Sequence, residues 1–222
     1  IAEVMLYGPL SKYEPEEIKN ALFAIPLTNI LLACGASFLG YVALSSYDYL
    51  ALKYIGRKLE AWKWIFVGFI GFSISNNAGH AVVSGGAVRY RLYTRWRFRP
   101  NEIVRMVTFS GFTYLIACFF LSDLGWLLTP EHAFDGADAS QWTTNLVALI
   151  SFIGLLGYFG LCRFYKKTVE IREIPFKMPS VKMALAQVVI GGCDILMASF
   201  GLYFGLMPIV QIPFDIFIGV FN

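Results

Sequence analysis

Charge is what this 222-residue sequence has least of: Asp, Glu, Lys and Arg together make up 15%, where a soluble domain of this length carries roughly 25%. With 57% hydrophobic and 17% aromatic residues and a mean hydropathy of +0.61, that shortage excludes a water-soluble globule and points to an integral membrane protein. Histidine and cysteine are also scarce, at two and four residues. Cys34, Cys118, Cys162 and Cys193 all lie in apolar stretches, without CxxC spacing or a nearby His pair. They read as small buried hydrophobes. No carboxylate pair, HExxH motif, Ser-His-Asp set or metal-ligand cluster can be assembled, so no catalytic residue, metal site or cofactor is assigned.

What is present is organised by the membrane. A spanning helix needs about 20 mostly apolar residues, and segments 27–52, 104–128, 143–163 and 181–207 meet that. The fold class expected is all-α, a polytopic helical bundle forming one transmembrane domain over residues 1–222. Before the first span, "SKYEPEEIKNALFAIP" reads as a short interfacial helix ended by Pro26. Ile1 is not a natural start, no basic leader precedes the first span and "FDIFIGVFN" has no polar tail, so we expect a piece of a longer protein.

Lysine and arginine set the orientation. They follow the first span (Lys53, Arg57, Lys58, Lys63), precede the second (Arg89 to Arg105) and join the last two (Arg163 to Lys182), whereas the loop from Ser122 to Gln141 holds Asp123, Glu131, Asp135 and Asp138 and no basic residue. The three basic regions are therefore placed in the cytoplasm and the acidic loop outside. A further apolar segment, 64–88, lies between two of the basic regions. Crossing once would put them on opposite sides, so we predict a re-entrant helical hairpin that breaks at "NNAG" and returns to its own side. Ser75, Asn76, Asn77, Gly79 and His80 can satisfy the bared backbone, and Ser84, Gly85 and Gly86 permit close packing. A surface helix pair is the alternative. Residues 208–222, with Pro208 and Pro213, read as the start of a second interrupted segment.

Ionisable groups within spans are costly and tend to mark function. Asp48 sits about one and a half turns before Lys53, as a site residue or as a carboxylate pairing with a nearby lysine. Asp194 is near the middle of a span with no basic residue within seven positions on either side. It needs a partner, a proton or a polar cavity. Arg89 closes the hairpin and Arg91 follows on another face; a guanidinium offers a planar fork suited to phosphate. Arg95, Arg97 and Arg99 read as topology anchors, interleaved with Tyr90, Tyr93, Trp96 and Phe98 as an aromatic belt, so no nucleic-acid partner is assigned. His80 is a candidate headgroup contact or proton carrier, or simply a hydrogen-bonded histidine.

The strings "SYDYLALKYIGRKL", "SISNNAGHAVVSGGAVRYRLY" and "FDIFIGVF", in this order, resemble the membrane domain of the lysylphosphatidylglycerol synthetase/flippase family, which includes the multiple peptide resistance factors and the smaller YbhN-like proteins without a synthetase. The resemblance runs over most of the chain. It implies a multi-pass protein of the bacterial cytoplasmic (inner) membrane that moves aminoacylated phosphatidylglycerol from inner to outer leaflet, an activity tied to antimicrobial peptide resistance. It also implies that the family's Asp falls on Asp48 and its Arg on Arg89, and that a second glycine-rich motif would follow "FIGVF".

The expected partners are thus the membrane and an anionic or aminoacylated phospholipid, with a homo-oligomer left open. Arg89 and Arg91 would hold the lipid phosphate; Asp48 and Asp194, with His80 nearby, would meet the headgroup ammonium. Three other readings stay open: the anchor of a phosphatidylglycerol lysyltransferase, an ion-coupled small-solute transporter with Asp194 as the proton site, and a structural subunit of a larger complex.

Overall fold

The computed structural model describes residues 25–78, 81–128, 141–171 and 174–207, together with Glu16 and Phe23. The rest of the expected interfacial helix, Gly79 and His80 of the expected break, most of the acidic loop and the expected interrupted segment 208–222 lie outside the described residues. For Asn76, Asn77 and Ser84 only the helical backbone is described.

Six helices and a small β-ribbon make up the described chain: α1 (Leu27–Ile55), α2 (Ala61–Ala78), α3 (Ala81–Arg95), α4 (Pro100–Leu128), α5 (Gln141–Phe164), β1 (Thr168–Ile171), β2 (Ile174–Lys177) and α6 (Val181–Leu206). The expected all-α membrane bundle is what forms. Four helices, α1, α4, α5 and α6, are long and apolar enough to cross a membrane, and α2 is a shorter apolar helix. The antiparallel β1–β2 ribbon had no counterpart in the sequence reading.

Local chemistry sets where these helices begin and end. Gly56 adopts a left-handed φ of 75° after α1, and Arg57 N–H closes back onto Leu52 O at 3.0 Å, a stop that glycine allows at no steric cost. At the start of α4 the Glu102 carboxylate accepts from Arg99 N–H at 2.8 Å, half of a capping box. Ser180 Oγ caps α6 by accepting from Met183 N–H.

Contacts along the helices fix their directions. Tyr47 meets Asp194 and Asn29 reaches Phe204 O, so α1 and α6 run antiparallel. Gln187 bonds Thr113 while Gly191 abuts Ala117, so α4 and α6 run parallel. Asp123 bonds Ser151 and Trp126 bonds Asn145, making α4 and α5 antiparallel. The C-terminus of α1, the N-terminus of α4, the ribbon and the N-terminus of α6 consequently share one end of the bundle. Tyr54 Oη ties the ribbon there, donating to Lys177 O at 2.8 Å and accepting from Lys177 N–H at 3.1 Å. That end carries every described lysine and arginine except Arg89.

Between α1 and α4 the chain makes an antiparallel helical pair. Gly85 faces Ser75, Arg89 faces Gly71 and Trp96 faces Trp62, so α2 and α3 are paired about the two residues that separate them. α2 keeps its helix through Asn76 and Asn77 to Ala78, and α3 begins at Ala81. The two outer ends meet at the basic end. Arg57 lies 4.6 Å over the Phe98 ring, and Glu60 accepts from Lys63 and Trp62 at 2.8 Å each. Hydrogen bonds from Lys63 and Trp62, together with the Lys63 charge, hold Glu60 below the usual carboxylate range.

Two parts of the sequence reading are corrected. Asp123 belongs to α4, buried against α5 rather than in the loop. Cys34 and Cys193 are exposed on the bundle surface and only Cys162 is buried, because a bundle with so few helices leaves much of each one facing lipid. The same geometry exposes Leu149, Ile150, Ile153 and Leu156 on α5.

Close approach depends on particular glycines. A Cβ on Gly68 would lie 2.7 Å from Ser45 Cα of α1, a backbone contact that no rotamer relieves. Gly68→Ala is expected to cost about 1–3 kcal/mol by forcing α1 and α2 apart. Gly111→Ala on α4, where nothing lies within 4 Å, should be neutral or stabilising by about 0.5–1 kcal/mol. Thermal unfolding of the two variants in one detergent checks the contrast.

Candidate functional site

The hairpin brings one arginine to one aspartate. Arg89 Nη2 donates to Asp48 Oδ2 at 2.8 Å and Nε donates to Oδ1 at 3.1 Å, so the guanidinium meets the carboxylate with two donors, the planar geometry that distinguishes arginine from lysine. Tyr93, one helical turn beyond Arg89 on the same face of α3, donates to Asp48 Oδ1 at 2.9 Å. Asp48 is 0% exposed and Arg89 4%. Counting back from the ends of α1 and α3 at 1.5 Å per residue, the pair lies roughly 10 Å in from the basic end.

The walls around the guanidinium are built from α2. Its central carbon stacks 4.4 Å from the Phe72 ring centroid. Side chains at Gly71 or Gly85 would put a Cβ 3.3 Å from Nη1, and at Gly85 the Cβ would also overlap Ser75 Oγ. Ser75 Oγ is held by donating to Gly71 O at 2.7 Å. Gly68 completes the fit, since a Cβ there would reach 3.3 Å from Asp48 Oδ2. Three glycines therefore let two helices close over a charged pair that larger residues would push apart.

Asp194 is held elsewhere. Tyr47 Oη donates to Asp194 Oδ2 at 3.0 Å in the wedge between α1, α4 and α6, where a Cβ on Gly191 would come within 3.3 Å of the same hydroxyl. Successive residues of a helix point about 100° apart, so Tyr47 turns to α6 while Asp48 turns to the hairpin. Two further polar links cross the bundle. Tyr158 Oη donates to Gln187 Oε1 at 2.5 Å and Gln187 Nε2 donates to Thr113 Oγ1 at 2.8 Å; at the opposite end from the basic cluster, Ser151 donates to Asp123 Oδ1.

Of the residues singled out from sequence, the structure brings together Asp48, Arg89, Ser75 and Gly85. At Gly86 an added Cβ would meet Val107 only at ordinary contact distance, and Arg91 is exposed on the other side of α3. Gly79 and His80 lie outside the described residues. Tyr93, Tyr47, Phe72, Gly68 and Gly71 were missed. Tyr93 had been assigned to an aromatic belt, and only its i, i+4 spacing from Arg89 could have marked it as sharing that face. Among the described residues no group of His, Cys, Asp and Glu could hold a metal ion.

Removing one member of a buried pair strands the other. Arg89→Ala and Asp48→Ala are each expected to cost about 3–5 kcal/mol. The double variant should lose less than the sum, since no uncompensated charge remains. Tyr93→Phe, which deletes one bond to a charged group, should cost about 1.5–3 kcal/mol. Denaturation in a common detergent measures all four.

No family model matches the chain. It is similar to the uncharacterized protein slr0712 of Synechocystis, 25% identical over 205 residues, which covers 90% of this chain and 62% of that protein. It is also similar to the inner membrane protein YbhN of Escherichia coli, 27% identical over 196 residues, covering 86% of this chain and 60% of that protein. The chain thus spans about three fifths of the length of the curated relatives it matches. Its similarity to YbhN-like membrane proteins extends over nearly all of its length.

Proposed function

We propose that the chain is the main part of a lipid translocase of the bacterial inner membrane, moving an aminoacylated phosphatidylglycerol or a related phospholipid from the inner to the outer leaflet. The observation that carries the reading is the Arg89–Asp48 pair, a full positive and a full negative charge kept at hydrogen-bonding distance inside the bundle. An aminoacyl phospholipid headgroup carries the same two charges. Its phosphate can take the place of Asp48 on the Arg89 fork while its ammonium takes the place of Arg89 on Asp48, so each buried charge exchanges one partner for another. The desolvation that normally opposes moving such a headgroup through hydrocarbon is then met by charges already held there.

The hairpin suits that role on two further grounds. α2 presents Trp62, Ile65, Phe66 and Phe69 outward, an apolar stripe at helical spacing that fits contact with acyl chains. The Phe69 ring meets the Tyr41 ring of α1 at a tilt, centroids 5.1 Å apart, and Tyr41 lies 14 residues, roughly 20 Å, from the end of that helix. On this reading the hairpin enters the bilayer from the basic, cytoplasmic side and returns to it. Arg91, exposed on α3 at the same side, meets headgroups before they reach Arg89, and the acyl chains stay in lipid.

The test is leaflet transfer of a headgroup-labelled aminoacyl phosphatidylglycerol in proteoliposomes of the full-length protein, read by accessibility to a membrane-impermeant reagent. Arg89→Lys, which keeps the charge and loses the fork, is expected to slow transfer by roughly 10-fold or more, as loss of a charge-assisted hydrogen bond implies, while Arg91→Ala slows it less. Transfer that is absent from folded wild-type protein, or unchanged in Arg89→Lys, would overturn the reading.

A further inference from the structure

The lipid reading makes no use of Asp194. Asp194 stands halfway along the 26-residue α6 and is almost fully enclosed. Among the described residues it has no ion-pair partner. The groups that face it are Tyr47 from α1 and, from α4, Tyr114 and Cys118; the polar groups between α5 and α6, Tyr158 and Gln187, lie two turns away. Every one of these is uncharged at neutral pH. A carboxylate with one phenol donor and no cation is the arrangement in which a proton is the natural counter-charge.

Its surroundings connect it to the ion pair without a gap. Tyr47 donates to Asp194, and its ring packs edge-on against Phe72 at 5.5 Å. The other partner of Phe72 is the Arg89 guanidinium, 4.4 Å from the ring centroid. Tyr47 is also the chain neighbour of Asp48, so any turn of α1 that moves one moves both. On α6, one turn before Asp194, a Cβ added at Gly191 would come within 3.3 Å of the Tyr47 hydroxyl, so the phenol end sits close against that helix. The Tyr47 side chain therefore touches both Asp194 and the ring that covers the Arg89 guanidinium.

We infer that Asp194 is a membrane-embedded proton-binding site whose occupancy is felt at the Asp48–Arg89 pair through Tyr47 and Phe72. The step is a simple proton uptake. In the ionised state Tyr47 O–H donates to Asp194; when Asp194 takes a proton from the aqueous phase, its own O–H can donate to Tyr47 Oη, reversing the bond and freeing the phenol hydrogen to turn. No other bond is made or broken. The inference stands on the packing alone and does not require that the cargo be a lipid; what it adds is a route by which a proton gradient could bias the pair.

Infrared difference spectroscopy of the full-length protein in nanodiscs, between mildly acidic and alkaline buffer, tests it without an activity readout. The wild type should show a protonated-carboxyl stretch that disappears in Asp194→Asn. In Tyr47→Phe the band should persist at higher frequency, having lost its hydrogen-bond partner. Asp194→Glu keeps the acid and should keep a displaced band, which serves if the Asn variant does not assemble. The guanidinium stretch of Arg89, identified by its loss in Arg89→Lys, should follow the same titration in wild type and become independent of pH in Asp194→Asn. A carboxyl band that survives Asp194→Asn, or no pH-dependent band in folded wild type, overturns the proton site. A guanidinium band indifferent to pH in wild type overturns the coupling. Either result leaves the lipid reading standing, since that depends on transfer and on Arg89.

Discussion

A buried arginine costs several kcal/mol unless a carboxylate meets it with good geometry, and the arrangement of α1, α2 and α3 follows from meeting that demand. Asp48 can face Arg89 only if α3 lies against α1. α3 can do so only if α2 packs closely beside both, and Gly68 and Gly71 on α2 with Gly85 on α3 allow that approach. Tyr93 takes a remaining lone pair of the carboxylate, and Phe72 covers the guanidinium face. Remove the pair and the glycines lose their reason, because an ordinary apolar interface would be better filled by larger side chains.

The bundle around this pair divides labour between its polar links. Tyr47–Asp194 joins α1 to α6, Gln187 joins α6 to α4 and α5, and Ser151–Asp123 joins α4 to α5 at the far end. Each is a single neutral or singly charged contact between spans. Among the described residues, only Asp48 and Arg89 place two opposite charges together in the interior. That difference is why the pair is the candidate for exchanging partners with a charged headgroup, while the other links read as orientation devices or, for Asp194, as a place for a proton.

Much of this was legible in the sequence because the membrane imposes simple rules. Apolar length marked the four long helices, the asymmetric lysines and arginines marked one end, and the intramembrane charges Asp48, Arg89 and Asp194 stood out against an apolar background. The partnerships were harder to see. Asp48 had Lys53 and its neighbours as closer candidates in sequence, and the choice of Arg89 rests on a fold that brings together residues 41 positions apart. Tyr47 and Tyr93 look like any other aromatics of a membrane protein until their hydroxyls are placed. Asp123 reads as a loop residue because residues 122–141 carry acidic side chains and no lysine or arginine, yet α4 continues past it to Leu128 and Ser151 meets it from α5. Cysteine burial was misjudged because apolar surroundings in a membrane chain signify lipid as readily as protein.

That the chain carries this ion pair into the bilayer on a hairpin returning to its own side is open to a direct measurement. With the four cysteines of this chain replaced by serine, single cysteines at Lys58 and Arg95 flank the hairpin and can be labelled with an impermeant thiol reagent in sealed right-side-out and inverted vesicles. The account predicts that both label in inverted vesicles alone. Labelling of the two from opposite faces would mean that the segment crosses the membrane, and would contradict it.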